Sequence, residues 1–218
     1  MTKDTKLQRD VLDELDWEPS VNAAEIGVTA HNGVVTLTGY VPTYSEKLTA
    51  EKVAKRVLGV KGIANEIEVR FSGSHQGTDT DLAEAAINSL KIRTSIPEDR
   101  IKVSVSKGWV TLEGNVDWNY QKEAAEDIVA WLHGVRGVVN QITVKPRASA
   151  LEVKDRIEAA FRRHAELDAK KIRVETHDGK VTLRGELPSW AERQAAARTA
   201  WAAPGVTHVE NLITVSSD

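Results

Sequence analysis

The glycines and one asparagine of this chain stand at fixed intervals. Gly33, Gly39, Gly59 and Asn65 are separated by 6, 20 and 6 residues, and the same intervals recur in Gly108, Gly114, Gly134 and Asn140 and in Gly179, Gly185, Gly205 and Asn211. A sequence that repeats such spacings three times without insertion folds as tandem copies of one small unit. The copies divide the 218 residues into 1–73, 74–146 and 147–218. A unit of that size buries only about 60% of its unfolded surface, so each is modestly stable by itself. An array of small modules with no chemistry at its repeated positions serves as a binding device, whereas an enzyme needs a singular site.

Each unit opens with apolar residues four apart, which share one helical face: Leu7, Val11, Leu15; Leu82, Ala86, Leu90; Val153, Ile157, Phe161. In the third copy Ser149 and Glu152 have the spacing of a capping box. An alternating stretch follows (Ile26, Val28, Ala30; Ile101, Val103, Val105; Ile172, Val174, Thr176), the pattern of a strand with one buried and one wet face. Asn32-Gly33, Lys107-Gly108 and Asp178-Gly179 then predict a two-residue hairpin turn. The returning strand carries Val35 and Leu37 and their counterparts, and its expected end is the second glycine. A second helix is expected next, capped by Thr43 with Glu46 and by Ser189 with Glu192, with Asp117 as the candidate cap in the middle copy. The third glycine suits the positive φ of a helix C-terminus. Last comes a strand through Ile63, Ile67 and Val69, repeated downstream. The order α-β-β-α-β predicts an α+β fold: three tandem domains, each a three-stranded mixed sheet with two helices on one face. A right-handed crossover makes the last strand parallel to the second where the two are neighbours. Of the linkers, the Gly- and Ser-rich stretch after Phe71 reads as flexible, and the short one beginning at Pro146 as stiffer.

Composition excludes several kinds of function. The chain has no cysteine, hence no disulfide, thiolate metal site or lipid-attachment cysteine. The charged start MTKDTKLQRDVLDELDW lacks the apolar run of a secretory signal, and no stretch approaches the roughly 18 apolar residues of a membrane span. As written, the sequence reads as soluble and cytoplasmic, or periplasmic if a signal has been removed. The three units hold 9 basic against 11 acidic, 8 against 10 and 12 against 11 residues, too little positive charge for a nucleic-acid binder.

The motif G-x-V-x-L-x-G, written as Gly33–Gly39, Gly108–Gly114 and Gly179–Gly185, together with Gly59-Val60, Gly134-Val135 and Gly205-Val206, resembles the BON domain, named for bacterial osmotically induced and nodulation proteins. The resemblance covers nearly the whole chain in three copies. It implies the α+β fold already argued and a non-enzymatic role in osmotic or envelope stress, through binding of anionic phospholipid or envelope-associated proteins. A cytosolic relative that binds potassium makes an ion-responsive stress protein the alternative. The family brings no catalytic residue and no cofactor with it.

Candidate residues lie where the copies disagree. Tryptophan occurs six times although aromatics are scarce. Trp109 stands where the other copies have Val34 and Lys180, and Trp131 and Trp201 stand where Arg56 and Lys55 occur, outside the helical apolar stripe. Large aromatics at such places predict a contact beyond the unit, either packing between units or a partner or membrane surface. Arg162, Arg163, Lys170, Lys171 and Arg173 add a basic cluster suited to anionic headgroups, interleaved with Glu166 and Asp168. The six histidines form no metal-ligand spacing, and His31 and His177 precede the hairpin turn on the wet face. Asn65, Asn140 and Asn211 share the parity of the buried residues, which predicts a side chain bonded to backbone near the helix-to-strand turn, with an ion ligand as the other reading.

Overall fold

A computed structural model of the chain describes residues 3–71, 77–93, 95–145, 153–163 and 169–216. The capping pair Ser149 and Glu152, most of the first linker and the second linker lie outside these residues. The first repeat comprises α1 (Lys3–Trp17), β1 (Ile26–His31), β2 (Val34–Val41), α2 (Tyr44–Ala54) and a last strand in two pieces, β3 (Gly62–Asn65) and β4 (Glu68–Val69). The second comprises α3 (Asp79–Ile92), β5 (Ile101–Ser106), β6 (Trp109–Val116), α4 (Asn119–Ala130) and β7 (Gly137–Val144). The third comprises α5 (Val153–Arg163), β8 (Ile172–His177), β9 (Lys180–Leu187), α6 (Trp190–Trp201) and β10 (His208–Val215). A 3-10 turn that the periodicity did not announce leads into the first strand of each repeat, at Ala23–Glu25, Glu98–Arg100 and Ala169–Lys171.

Every sheet is mixed, with the middle strand antiparallel to the first and parallel to the last. The register is identical in all three, and Asn65, Asn140 and Asn211 stand opposite Leu37, Leu112 and Leu183. The helical stripes Leu7, Val11, Leu15, Leu82, Ala86, Leu90, Val153, Ile157 and Phe161 are all buried, as are Val35, Leu37, Val110, Leu112, Val181 and Leu183 of the sheets. Each fully buried Val, Leu, Ile or Phe contributes about 1.5–3 kcal/mol, so a repeat rests on about a dozen such side chains. The first and third repeats fall largely into one compact unit, and the second repeat falls into another together with Val41–Lys47. Tyr44 explains that allocation, because its ring packs on the core of the second repeat.

The hairpin turns have both central residues at positive φ: 52° and 83° at Asn32-Gly33, 54° and 79° at Lys107-Gly108, and 46° and 77° at Asp178-Gly179. In two repeats a carboxylate from the first helix clamps this turn. Asp79 accepts from the backbone N–H groups of Lys107 at 2.7 Å and Gly108 at 3.0 Å, and Asp4 accepts from that of Asn32 at 3.1 Å. The corresponding residue of the third repeat is Ala150, which has no carboxylate to offer.

The second glycine does not end the middle strand, which runs two residues further in each repeat. It ends only the antiparallel pairing, at Ile26 opposite Gly39, Ile101 opposite Gly114 and Ile172 opposite Gly185. There the carbonyl oxygen of Glu25, Arg100 or Lys171, leaving the 3-10 turn, occupies the place a Cβ would need. The φ values of 105°, 137° and 145° add a backbone demand that only glycine meets without strain. The third glycine sits a few residues past the helix end, in the turn that carries the chain to the last strand, at φ of 89° to 95°.

Two local expectations are corrected. In the middle repeat the cap of α4 falls on Trp118, and Gln121 reaches back to accept from the N–H groups of Asp117 and Trp118 at 3.1 and 3.0 Å. Asp117 is engaged instead with Arg100 through two bonds of 3.2 Å. The asparagines anchor the last strand to the middle of the second helix, not to the helix-to-strand turn. Asn140 donates to the Lys122 carbonyl and to Glu126 at 3.0 Å each, and accepts from Ile142 N–H at 3.2 Å. Asn211 donates to the Arg193 carbonyl at 2.9 Å and accepts from Ile213 N–H at 3.2 Å, and Asn65 joins Glu51 and Ile67 N–H at 3.0 and 3.3 Å. The parity argument was sound, because a polar side chain on the buried face finds its partners there.

Two substitutions test these anchors in urea unfolding followed by tryptophan fluorescence. Gly114→Ala is expected to cost roughly 3 kcal/mol or more, while Glu113→Ala beside it stays within about 0.5 kcal/mol. Asn140→Ala is expected to cost about 2 kcal/mol, because it strands a helix carbonyl and a strand N–H together.

Candidate functional site

Alternation along the strands leaves one face of each sheet away from its helices, and the three copies furnish that face differently. In the first repeat it carries Thr29, His31, Val34, Thr36 and Thr38 beside Gly27 and Gly62, with Glu68 of β4 on the same side. In the third it is a charge ladder: Arg173 lies 3.2 Å from Glu175, Arg184 lies 3.9 Å from the same carboxylate, and Lys180 lies 2.7 Å from Glu210. Lys180 beside Glu210 holds that carboxyl below the usual glutamate range. His177, fully exposed, lies 3.2 Å from Asp178 at the turn. These cations have carboxylates to hand, and Arg173 is thereby partly neutralised. The second repeat presents Trp109 on the same face, 52% exposed.

The basic residues read from the sequence divide on the structure. Arg162 and Arg163 end α5, Lys170 and Lys171 lie in the 3-10 turn, and Arg173 lies on β8. Of these, Arg163 lines a cavity among the described residues. It faces a groove of about 630 Å³ between α5 and α6, with Ile157, Ala160 and Ala203 on its floor and Arg156, Arg163 and Arg198 along its rim. Arg156 and Arg198 were not singled out by sequence reasoning. Arg156 could have been, because seven residues is two helical turns and places it on the face of Arg163. Arg198 could not, because it belongs to a helix more than thirty residues downstream. All three guanidinium groups are exposed, and among the described residues no carboxylate pairs with any of them.

The tryptophans do not form one surface. Trp131, at the C-terminal cap of α4, is 70% exposed. Trp201 is half-buried and rests on the core of its own repeat, so its contact lies within the unit. Trp190, which the sequence did not distinguish, has the Arg193 guanidinium 4.9 Å from its ring centroid and the Lys55 ammonium of the first repeat at 5.7 Å. Burial pulls the pKa of Arg193 down, while its side chain donates to the Ile213 and Asn211 carbonyls at 2.8 Å each.

No group of three or more metal-ligating side chains is assembled among the described residues, and no described helix is long and apolar enough to cross a membrane. Similarity to known proteins runs through the whole array. The chain is 32% identical over 130 residues to osmotically-inducible protein Y of Escherichia coli strain K12, covering 58% of this chain and 65% of that protein. It is 30% identical over 139 residues to the outer membrane lipoprotein DolP of Haemophilus influenzae, covering 62% and 72%. A 21 kDa hemolysin of Actinobacillus pleuropneumoniae is 30% identical over 121 residues, covering 55% and 62%. The alignments thus span about two thirds of these relatives. The BON domain profile matches residues 3–70, 78–146 and 149–217, one match for each α-β-β-α-β unit, and the chain belongs to the BON domain family.

Proposed function

We propose that this array is a non-enzymatic binding protein of osmotic or envelope stress that engages anionic phospholipid through the α5–α6 groove of its third repeat. The observation that carries the reading is the set of three arginines, Arg156, Arg163 and Arg198, which have no carboxylate partner among the described residues and stand above an apolar floor. A guanidinium forks onto a phosphate with paired hydrogen bonds, and Ile157, Ala160 and Ala203 offer a seat for the first acyl carbons below it. Arg162, Lys170 and Lys171 lie in the same repeat and add long-range attraction to an anionic surface, an attraction that salt weakens. Trp131 and Trp109 belong to the second repeat and are not needed for this contact. The names of two relatives, one osmotically inducible and one an outer membrane lipoprotein, agree with a role in the envelope under stress.

The test is sedimentation with vesicles at about 0.15 M salt. Vesicles containing phosphatidylglycerol are expected to carry the protein down, and pure phosphatidylcholine vesicles are not. Replacing Arg156, Arg163 and Arg198 together by Gln should cut the bound fraction at least about tenfold, with circular dichroism unchanged. Equal sedimentation of the variant would move the lipid contact elsewhere. No sedimentation of the parent protein with either vesicle would leave an envelope protein as the partner and end the lipid reading.

A further inference from the structure

The first and second repeats each have a cavity at the same place, between the hairpin turn, the first turn of the opening helix and the turn at the third glycine. In the first repeat it measures about 510 Å³ and is lined by Leu7, Leu58 and charged residues, including Lys6 and Asp10, which pair at 2.6 Å. In the second it measures about 800 Å³, and its walls have changed character: Trp109 stands for Val34, Lys107 for Asn32 and Arg136 for Lys61, with Phe71 beside them. Both cavities have cationic walls, and of the two the second alone has aromatic ones.

Trp109 is held as a platform. The six-membered ring of its indole lies against Gly137, its neighbour on β7, so closely that a Cβ there would come within 2.6 Å of Cε3 and 2.8 Å of Cη2. One face of the indole is therefore committed to backbone, and with the residue 52% exposed the other is open. Hydroxyls surround it. Ser106 is its cross-strand partner on β5, and Ser104 and Thr111 form the next pair on the same face. Where the platform meets the cavity, Lys107 and Arg136 supply two positive charges, and among the described residues no ion pair engages either one. Asp79 is already bonded to the turn, and the Phe71 ring is occupied by Arg136, with Cζ 5.2 Å from the centroid, and by His133 at 5.9 Å.

An open aromatic face with hydroxyls along one side, and at one end two cations that no ion pair engages among the described residues, matches a ligand that is flat and aliphatic on one side, hydroxylated at its edges and anionic at one substituent. A pyranose bearing a carboxylate has that chemistry: its axial C–H groups meet the negative face of the indole, its hydroxyls bond Ser and Thr, and its carboxylate takes charge-assisted hydrogen bonds. A nucleotide fits less well, since a base gains most when closed between two planes and only one is offered here. We propose that this cavity of the second repeat binds a carboxylate-bearing oligosaccharide, one sugar ring stacked on Trp109 and its acid group held by Lys107 and Arg136. The site lies in a different repeat from the arginine groove and does not depend on the lipid reading.

The experiment is a nitrogen–proton correlation titration of the full chain with trigalacturonate, with maltotriose and AMP in parallel. Trp109→Val, which installs the residue of the first repeat, identifies the Trp109 indole signal and serves as the binding-dead variant. Trigalacturonate is expected to shift that signal, and with it the backbone amide signals of Ser106, Gly108 and Gly137, saturably below about 10 mM; Trp109→Val is expected to abolish the shifts of those three amides with the remaining spectrum intact, and Lys107→Gln with Arg136→Gln to weaken binding roughly tenfold. Maltotriose, lacking the acid, should bind the parent protein no better than trigalacturonate binds that double variant. No shift up to about 10 mM, undiminished binding by Trp109→Val, or tighter binding of AMP than of trigalacturonate would each overturn the proposal.

Discussion

In every repeat a backbone carbonyl leaving a 3-10 turn presses onto the second glycine of the middle strand, where no side chain could be accommodated. The rest of the unit follows from that close approach. It fixes where the first strand begins, and so sets the antiparallel register back to the hairpin turn at Gly33, Gly108 or Gly179. It also releases the middle strand to continue alone alongside the last one, where the asparagine bridge ties the sheet to the second helix. Antiparallel pairing, parallel pairing and helix packing therefore meet at one point of the middle strand, which is why the interval from turn glycine to strand glycine tolerates no insertion.

A scaffold fixed so tightly leaves its other positions free to vary. The exposed faces of the three sheets share one backbone and carry threonines, a tryptophan with serines, and a ladder of ion pairs respectively. The groove between the two helices is rimmed by arginine in the third copy. Charges already paired across a wet sheet contribute little to stability or to binding, whereas unpaired cations beside apolar surface retain most of their capacity for an incoming anion. Among the described residues, that difference separates Arg173, beside Glu175, from Arg156, Arg163 and Arg198, and it separates Lys180, beside Glu210, from Lys107 and Arg136.

Most of the unit was legible in one dimension. Periods of four and two mark helices and strands because each buries a single face, and the helical stripes and most of the strand positions they select are buried, from Val11 and Leu37 to Phe161 and Ile213, while Thr176 is exposed and Val41, Val116 and Leu187 join the cores from beyond the expected strand end. The misreadings share a cause. Treating Gly39 as a strand end, and Asp117 as a cap, followed local propensity, but what occupies the space above Gly39 is the carbonyl of a residue fourteen positions earlier, and Asp117 is claimed by Arg100. Trp201 looked exposed by helical position, yet it rests on the core because a large ring can reach around the edge of a helical stripe built from alanines.

The sequence by itself determined the number of units, their α-β-β-α-β order and the helical stripes of each core, since those depend on spacing along the chain. Only the tertiary structure decided which charges are spent and which are available. It brought Arg198 to Arg156 and Arg163 across two helices, laid Trp109 flat on Gly137, and set Lys107 and Arg136 at one cavity mouth. Binding capacity is a property of distances between residues remote in sequence, and those distances exist only after the helices have packed and the strands have taken their register.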